Sequence, residues 1–165
     1  MAFNINEIKS QLTFGGAKAS LFQVAITNPI DGAGDLKTPF MVQAAQIPAA
    51  TVGVIEVPYF GRKVKIAGDR TFAEWTVTVI NDEDFLIRNA MEAWMASINS
   101  HEGNVTAGND YKNQAQITQY AKTGSPLRTY NFNGLFPTNI GDITMDWNTT
   151  DEIETFEVTF AYDWW

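Results

Sequence analysis

Apolar and polar residues alternate with a period of two along most of the chain, and this pattern predicts β-strands. The stretch TFAEWTVTVI at residues 71–80 alternates most regularly, with Trp75, Val77 and Val79 on one face. The last predicted pair of strands has one aromatic, apolar face and one face rich in threonine and acids. Roughly seven strands are expected, at about 20–27, 39–47, 71–80, 114–122, 127–135, 142–147 and 153–165.

A change of period to three and four residues predicts one long helix at 81–100. Its apolar stripe consists of Ile87, Met91, Trp94, Met95 and Ile98. Asn81 is the expected N-cap, and the three acids that follow it favour the positive end of the helix dipole. A short amphipathic helix is also expected at 4–12, before the glycine-rich break FGGAK.

Many strands and one long helix indicate a mainly β protein, an antiparallel β-sandwich or barrel with one packed α-helix. A chain of 165 residues is long enough to bury a sizeable core. The sequence shows no internal repeat and no linker, so we interpret residues 1–165 as a single domain. Its N-terminal part, residues 1–19, is an arm that contains the short helix.

The segment 46–70 does not fit a simple strand pattern. Its first half, IPAATVGVIEVP, predicts an extended, irregular stretch that is too apolar to lie bare in water without a partner. Its second half, VPYFGRKVKIAGDR, holds four basic residues against one acid, whereas the whole chain has a net charge of −8. The residues GDR are expected to form the turn into the central strand.

Composition excludes several classes of function. The net charge of −8 disfavours binding to DNA by neutralisation of phosphates. The sequence has no cysteine, which excludes disulfides, thiol nucleophiles and thiolate metal sites. The first residues lack the pattern of a secretory signal, and no apolar run approaches the length of a membrane-spanning helix, so membrane insertion is not expected.

No convincing active site is visible in the sequence. His101 is the only histidine, and its glycine- and asparagine-rich surroundings are typical of an exposed loop rather than of a general base or metal ligand. The acid pairs Asp142/Asp146 and Glu154/Glu157 match the residue types of glycosidases, but an acidic, threonine-rich strand face is more often simply solvated. We therefore predict no catalytic, cofactor-binding or metal-binding residues and do not expect an enzyme.

One long stretch resembles a known family. VPYFGRKVKIAGDRTFAEWTVTVINDEDFLIRNAMEAW is similar to the central signature of the tail tube proteins of T4-like contractile-tailed bacteriophages. The shared features are an Arg-Lys pair, AGDRTF, a strand that reads WTVTV, the pair ND and a helix that contains a tryptophan. The resemblance continues in SLFQV, QIPAA, GLFPTNIGDITMDW and EIETFEVTFAYDWW, so it covers the chain from about residue 20 to its end.

The resemblance implies a structural virion protein of a phage tail. Such proteins form hexameric rings, in which strands of neighbouring subunits join into one barrel, and the rings stack into a rigid hollow tube. The implied partners are other copies of the chain, the tail sheath protein, and baseplate and tail-terminator proteins. DNA is expected to pass through the lumen without specific binding, and assembly is expected in the cytoplasm of the host bacterium.

The resemblance also implies roles for three sets of residues. The segment 46–70 is expected to project toward the adjacent ring, and acids on a strand face are expected to line a negative lumen that repels DNA. The outer face of the helix is expected to meet the sheath. The candidates are Val54, Ile55, Tyr59, Phe60, Arg62, Lys63, Lys65, Asp69 and Arg70 for contacts between rings or subunits, Asp142, Asp146, Glu154 and Glu157 for the lumen, and Arg88, Asn89 and Glu92 for the sheath.

Two alternatives to a phage tube stay open from the sequence. A tube protein of an R-type pyocin or of a type VI secretion system would share the same family features, with a lumen that is empty or carries effectors. A β-sandwich carbohydrate-binding module would use exposed aromatic residues and acidic loops, for which the sequence gives a weak argument.

Overall fold

Eight β-strands and three α-helices make up the part of the chain that the computed structural model describes, residues 4–103 and 109–165. Short 3₁₀ turns lie at Thr13–Gly15, Gly32–Gly34 and Asn109–Tyr111. The helices are α1 at Ile5–Gln11, α2 at Thr38–Met41 and α3 at Leu86–Ile98. The strands are β1 at Phe22–Ile26, β2 at Val42–Ala45, β3 at Ala50–Tyr59, β4 at Arg62–Phe72, β5 at Trp75–Ile80, β6 at Asn113–Tyr120, β7 at Pro126–Ile140 and β8 at Thr155–Ala161.

Six of the strands form one antiparallel sheet in the order β1-β6-β7-β8-β5-β2. The long strand β7 belongs to two half-sheets, because its first part pairs with β6 and its last part pairs with β8. The first half-sheet has the order β1-β6-β7 and the second has the order β7-β8-β5-β2. Gly134 lies at the change of partner, with a left-handed φ of 68°. A Cβ atom at this position would lie 2.1 Å from Oδ2 of Asp163, so the close approach requires glycine.

The inner faces of the two half-sheets share one core. Trp75 of β5 stacks on Phe132 of β7 with ring centroids 4.3 Å apart, which joins the halves directly. Alternate residues of β1, β5, β6 and β8 contribute buried apolar side chains, as the period of two predicts. In β7 the buried Phe132 and Leu135 are three positions apart, on either side of Gly134. The mainly β fold with antiparallel sheets and one main helix, predicted as a sandwich or barrel, is therefore confirmed, and β2 and β1 lie at the two edges of the six-stranded sheet.

Helix α3 packs on this core with the stripe that the sequence predicts, but it begins later than expected. Asn81 is not the N-cap. Its side chain is buried and donates a hydrogen bond of 2.9 Å to Oε2 of Glu154, and the helix starts only at Leu86, after Phe85 in a left-handed conformation. Asp82 and Asp84, which precede the helix, form ion pairs with Lys37 instead. The Nζ atom of Lys37 lies 2.6 Å from Oδ2 of Asp82 and 2.5 Å from Oδ2 of Asp84.

Three strand predictions need correction. The expected strand at 39–47 is divided into the short helix α2 and the four-residue strand β2. The helix begins at Thr38, whose hydroxyl donates a hydrogen bond to the carbonyl of Gly34. The expected strand at 142–147 does not form, and the last strand shortens to Thr155–Ala161. The short N-terminal helix is present as α1, with the Asn4 side chain accepting from the amide of Asn6.

Candidate assembly surfaces

The segment 46–70 forms a long β-hairpin with its own two-stranded sheet. Strands β3 and β4 pair from Ala50↔Phe72 to Tyr59↔Arg62, and the two-residue turn is Phe60–Gly61. Both turn residues have left-handed φ angles, 42° and 78°, as a type I′ turn requires. The prediction of an irregular stretch was wrong, and GDR lies within β4 rather than at a turn.

The register gives the outer part of the hairpin two chemically different faces. Paired residues share a face, so Val57↔Val64 and Ile55↔Ile66 lie together with Tyr59. Their side chains are between 42% and 66% exposed, although all are apolar or aromatic. We call this the apolar face, and it consists of Ile55, Val57, Tyr59, Arg62, Val64 and Ile66; the charged face consists of Val54, Glu56, Pro58, Lys63, Lys65 and Ala67.

The basic residues of the hairpin do not form one patch. Arg62 and Lys63 are neighbours in the sequence, so they point to opposite faces of β4. Lys63 binds Glu56 across the hairpin, with Nζ and Oε2 2.6 Å apart. Arg70 lies at the base, where its guanidinium carbon is 4.9 Å from the ring centre of Phe72. Among the described residues, no carboxylate lies within ion-pair distance of Arg62 or Lys65.

Aromatic residues from the end of the chain hold the base of the hairpin on the sandwich. Trp165 contacts Phe72 and Tyr130, with ring centroids 5.9 and 5.3 Å apart. The phenol of Tyr162 donates a hydrogen bond of 2.6 Å to the carbonyl of Ala73, directly after β4. The base is therefore fixed, whereas residues 51–67 are exposed.

An acidic loop at residues 141–154 joins β7 to β8. It contains five acids and no basic residue, namely Asp142, Asp146, Asp151, Glu152 and Glu154. Asp142 and Asp146 do not share a strand face as predicted, because Asp146 accepts from the amide of Asn148 and begins a turn. Of the alternating apolar residues, Ile143 is partly buried against the core, whereas Met145 is 76% and Trp147 100% exposed. Ile153 near the end of the loop is also exposed, by 73%.

The hairpin and the acidic loop lie at opposite ends of the second half-sheet. Trp75, at the start of β5, pairs with Phe160 near the end of β8, and Ile80, at the end of β5, pairs with Thr155 at the start of β8. The hairpin ends three residues before Trp75, and the acidic loop ends immediately before Thr155. The length of β5, about 17 Å at the usual rise per residue, therefore separates the two attachment points.

The outward side of β5 and β8 forms a threonine face. It consists of Thr76, Thr78, Glu157 and Thr159, in which Thr78 pairs with Glu157 and the hydroxyls of Thr76 and Thr159 are 3.2 Å apart. The alternate residues of β8 point to the other side, toward α3. Phe160 contacts Trp94, so the threonine face and α3 lie on opposite sides of the sheet. Of the four predicted lumen acids, Glu157 alone belongs to this face.

Two of the three predicted sheath contacts are exposed on α3. Asn89 and Glu92 are exposed, whereas the side chain of Arg88 is only 20% exposed. Arg88 donates hydrogen bonds of 3.0 Å to Glu92 and to the carbonyl of Gly141, and its guanidinium lies over Phe156. Two of its five N–H donors are thus used within the subunit.

The titratable groups with shifted pKa values lie away from any cleft that suggests chemistry. Lys37 holds the pKa of Asp82 and of Asp84 below the ordinary value, mainly through the hydrogen bonds it donates, and its own pKa is raised. Burial raises the pKa of Asp35. Within residues 4–103 and 109–165, no group of three or more metal-ligating side chains comes together, and none of the helices is long and apolar enough to cross a membrane.

The sequence as a whole matches one family model, that of the phage tail tube protein, over residues 5–165. The chain belongs to the phage tail tube protein family. The tail tube protein gp19 of Enterobacteria phage T4 is 41% identical over 153 residues, which cover 90% of each chain. The resemblance predicted from the sequence is confirmed.

Solved structures support the fold of this tail tube family member. A chain of the tube terminating cap of the anti-feeding prophage superposes with a TM-score of 0.68 at 19% identity, covering 99% of this chain and 93% of the other. A chain of the PVC sheath–tube complex, an extracellular contractile injection system in its extended state, gives 0.64 at 18% identity, with coverage of 98% and 95%. At such identities the likeness concerns the fold.

Proposed function

We propose that the protein is the building block of the inner tube of a contractile phage tail, in which hexameric rings stack into a conduit for DNA. The observation that carries this proposal is the identity of 41% to a phage tail tube protein across nine-tenths of both chains. The fold supports it because β1 and β2 lie at the two ends of the six-stranded sheet, where their outer edges have no partner strand within residues 4–103 and 109–165. Exposed strand edges favour aggregation, and pairing of these edges between neighbouring subunits around a ring removes them.

The two sides of the second half-sheet differ, and this difference defines which side of the subunit faces the lumen and which faces outward. We place the threonine face toward the lumen and α3 on the outside, where Asn89 and Glu92 are available to the sheath. The threonine face carries hydroxyl groups and the carboxylate of Glu157 but no cation. DNA that contacts this face therefore releases none of its bound counterions, and the negative charge repels the phosphates, so the lumen wall does not retain DNA. The remaining predicted lumen acids lie on or next to the acidic loop, at an end of the subunit rather than on this wall.

The two ends of the same half-sheet give the stacking direction. The hairpin, with strands of ten and eleven residues, is about 30 Å long and projects along the tube axis toward the next ring in this proposal. Sheath, baseplate and terminator proteins are the other proposed partners, and the tail of the virion, assembled in the host cytoplasm, is the proposed location. The structural relatives come from complexes whose names include a sheath, a tube terminator and a baseplate.

Sequence identity and the family match favour this proposal over the alternatives. The neighbours from injection systems reach 18–19% identity, whereas the T4 relative reaches 41%, so a phage tail is favoured over a pyocin or type VI tube. A carbohydrate-binding module would leave the match of residues 5–165 to a tail tube family unexplained.

Assembly of the purified chain tests the proposal. We expect negative-stain electron microscopy at rising protein concentration to show six-fold rings and then tubes, and brief chemical cross-linking to give a ladder that ends at the hexamer for single rings. A chain that stays monomeric at the highest soluble concentration, by sedimentation and by cross-linking, would refute it.

The lumen assignment has its own test. Glu157→Lys places a cation on the proposed inner wall without touching the hairpin, so tubes should form with normal length. Virions that carry this variant should eject DNA more slowly, because the lysine attracts phosphate. Glu92→Lys on α3 is the matched control for a charge reversal on the opposite side. Equal ejection rates for the two variants and the unmodified protein would place Glu157 outside the lumen.

A further inference from the structure

We propose that Arg70 and Trp165 are positioning residues that set the direction in which the hairpin leaves the sandwich. With Phe72 and Tyr130 they form a set of cation–aromatic contacts that we call the clasp. While the clasp is closed the hairpin keeps one direction, and when it opens the hairpin swings about its two connections. The inference concerns the isolated subunit, and only its consequence for tube growth rests on the proposed function.

The hairpin cannot fix its own direction. Strands β3 and β4 pair with each other in a separate two-stranded sheet, and residues 51–67 are exposed, so the outer part does not rest on the sandwich. The connections to the sandwich, residues 46–49 and 73–74, lie outside the strands. They are joined by a hydrogen bond of 3.0 Å from the amide of Ala73 to the carbonyl of Ala49. Two connections side by side act as a hinge, so contacts at the base decide the direction.

The clasp supplies such contacts. Arg70 and Phe72 are alternate residues of β4 and therefore share a face. The guanidinium carbon of Arg70 lies 4.9 Å from the ring centre of Phe72 and 5.4 Å from that of Trp165, both within the range of cation–π attraction. Trp165 also contacts Phe72, with ring centroids 5.9 Å apart. One residue from the end of the chain thus touches two residues of the hairpin.

The other side of Trp165 connects the clasp to the first half-sheet. Its ring centroid is 5.3 Å from that of Tyr130, which belongs to β7. The guanidinium carbon of Arg128 lies 4.7 Å from the centre of the Tyr130 ring. The contacts therefore run without a gap from the hairpin to the sandwich.

The hinge itself is held by a different residue. The phenol of Tyr162 donates a hydrogen bond of 2.6 Å to the carbonyl of Ala73. Because Ala73 lies on the hinge, this bond fixes where the hairpin pivots but resists rotation about the pivot only weakly. Arg70 and Phe72 precede the hinge along β4, so their contacts with Trp165 act off the axis and resist the rotation.

The chemistry of Arg70 suits a contact that opens and closes. In the part of the chain that the structure describes, no carboxylate lies within ion-pair distance of Arg70, and its side chain is exposed. A planar, weakly hydrated guanidinium stacks on aromatic rings better than the ammonium of lysine does. One exposed contact of this kind changes the ratio of closed to open clasp by roughly two- to fivefold.

Distances between two spin labels test the direction of the hairpin, and labelling is specific because the chain contains no cysteine. The labels go on Phe60→Cys at the hairpin tip and Asn89→Cys on α3, in subunits kept below the assembly concentration. We expect one narrow distribution of distances by double electron–electron resonance. Arg70→Met and Trp165→Leu should broaden it, and Arg70→Lys should give an intermediate width.

Lys65→Met is the matched control, because it removes a cation from the same strand outside the clasp. It should leave the distribution narrow. Urea unfolding of each variant checks that the sandwich stays folded. A broad distribution in the unmodified subunit, an unchanged one in Arg70→Met, or equal broadening in Lys65→Met would overturn the inference.

Fluorinated tryptophans at position 165 separate the electrostatic contact from simple packing. Fluorine withdraws electron density from the face of the indole and changes its size little, so the cation–π attraction weakens with each added atom. The broad component should grow with the number of fluorine atoms when Arg70 is present and should not respond in the Arg70→Met background. Equal responses in both backgrounds would show that Trp165 acts by packing alone and would overturn the role of Arg70.

Tube growth gives the test that depends on the proposed function. A hairpin with a fixed direction loses less freedom on assembly, so Arg70→Met should slow tube growth by roughly two- to fivefold, and Arg70→Lys should recover part of the rate. Turbidity and negative-stain microscopy measure the rate. Growth at the unmodified rate by a subunit with a broad distance distribution would overturn this role in assembly while the tube function stands. Absence of tubes from the unmodified protein would overturn the proposed function, whereas the spin-label distances would still decide the clasp.

Discussion

Replacement of Gly134 by alanine tests how the two half-sheets are joined. The residue has a φ of 68°, and an L-residue in the left-handed region costs about 1–2 kcal/mol. The new methyl group would also lie 2.1 Å from Oδ2 of Asp163, so the carboxylate must move away. This movement breaks the partly exposed ion pair with Lys112 at 3.0 Å, worth up to about 1 kcal/mol. We expect a total loss of about 1–3 kcal/mol.

The assay is urea unfolding at a protein concentration below assembly, followed by the fluorescence of the buried Trp75 and Trp94. Gly124→Ala is the matched control, because Gly124 also has a left-handed φ, 87°, but no atom within 4 Å of a built Cβ. The control should lose only the backbone part, about 1–2 kcal/mol. Adding Asp163→Ala to Gly134→Ala should cost little more, since the pair with Lys112 is already lost.

A loss for Gly134→Ala that does not exceed the loss for Gly124→Ala would refute the reasoning. It would mean that the chain relaxes around the methyl group and that the close approach of β7 to Asp163 does not fix the change of partner. A changed slope with urea would point to a less compact subunit instead of a simple loss of stability.

Two further predictions concern the segment before α3. Asn81→Ala should lower the free energy of unfolding by about 1–2 kcal/mol, because Glu154 loses the amide it accepts from, and thermal unfolding checks this. The carboxylates of Asp82 and Asp84 have lowered pKa values in the folded protein, so their stabilisation is present above their unfolded pKa of about 3.9 and is lost as the pH falls through the lowered values. Lys37→Met should therefore lose less stability on acidification than the unmodified protein, in melting temperatures recorded between about pH 2 and pH 6; an equal loss would contradict this ion-pair account.

The elements that sequence analysis found correctly are those whose signal is local. The alternation of Trp75, Val77 and Val79 predicts β5 because one face of that strand is buried, and the stripe of α3 predicts the helix for the same reason. The start of α3 was missed because the amide of Asn81 is captured by Glu154, which lies 73 positions further along the chain. A capping residue and a residue that bonds across the fold look alike in sequence.

The candidate surfaces were predicted in part. Alternation in Ile143, Met145 and Trp147 is the same in a strand and in an exposed loop, so the sequence alone did not distinguish them. The turn residues around Asn148 were the signal that favoured a loop. Arg62 and Lys63 were assigned together to contacts between rings or subunits, although adjacent residues of a strand point to opposite faces. The two side chains lie on opposite faces because β4 is a strand. The many charged residues of this segment made the strand hard to predict from the sequence.

The order of strands in the sheet also governs how the chain folds as it is synthesised. β8 is the last strand in the sequence, yet it lies between β5 and β7 in the sheet. The edges of β5 and β7 that pair with β8 therefore stay open until β8 has been synthesised. The hairpin pairs only residues from 50 to 72 with each other, and hairpins of this kind form within about 1–10 μs.

Both strands of the hairpin are therefore synthesised before β8, whereas Tyr162 and Trp165, which hold the base of the hairpin, follow β8. An isolated two-stranded hairpin is only marginally stable in water, so the hairpin is fixed on the sandwich only at this late point. The edges of β5 and β7 that pair with β8 stay open until then, and open strand edges are prone to aggregation. The sheet closes and the hairpin is anchored in the same step of folding.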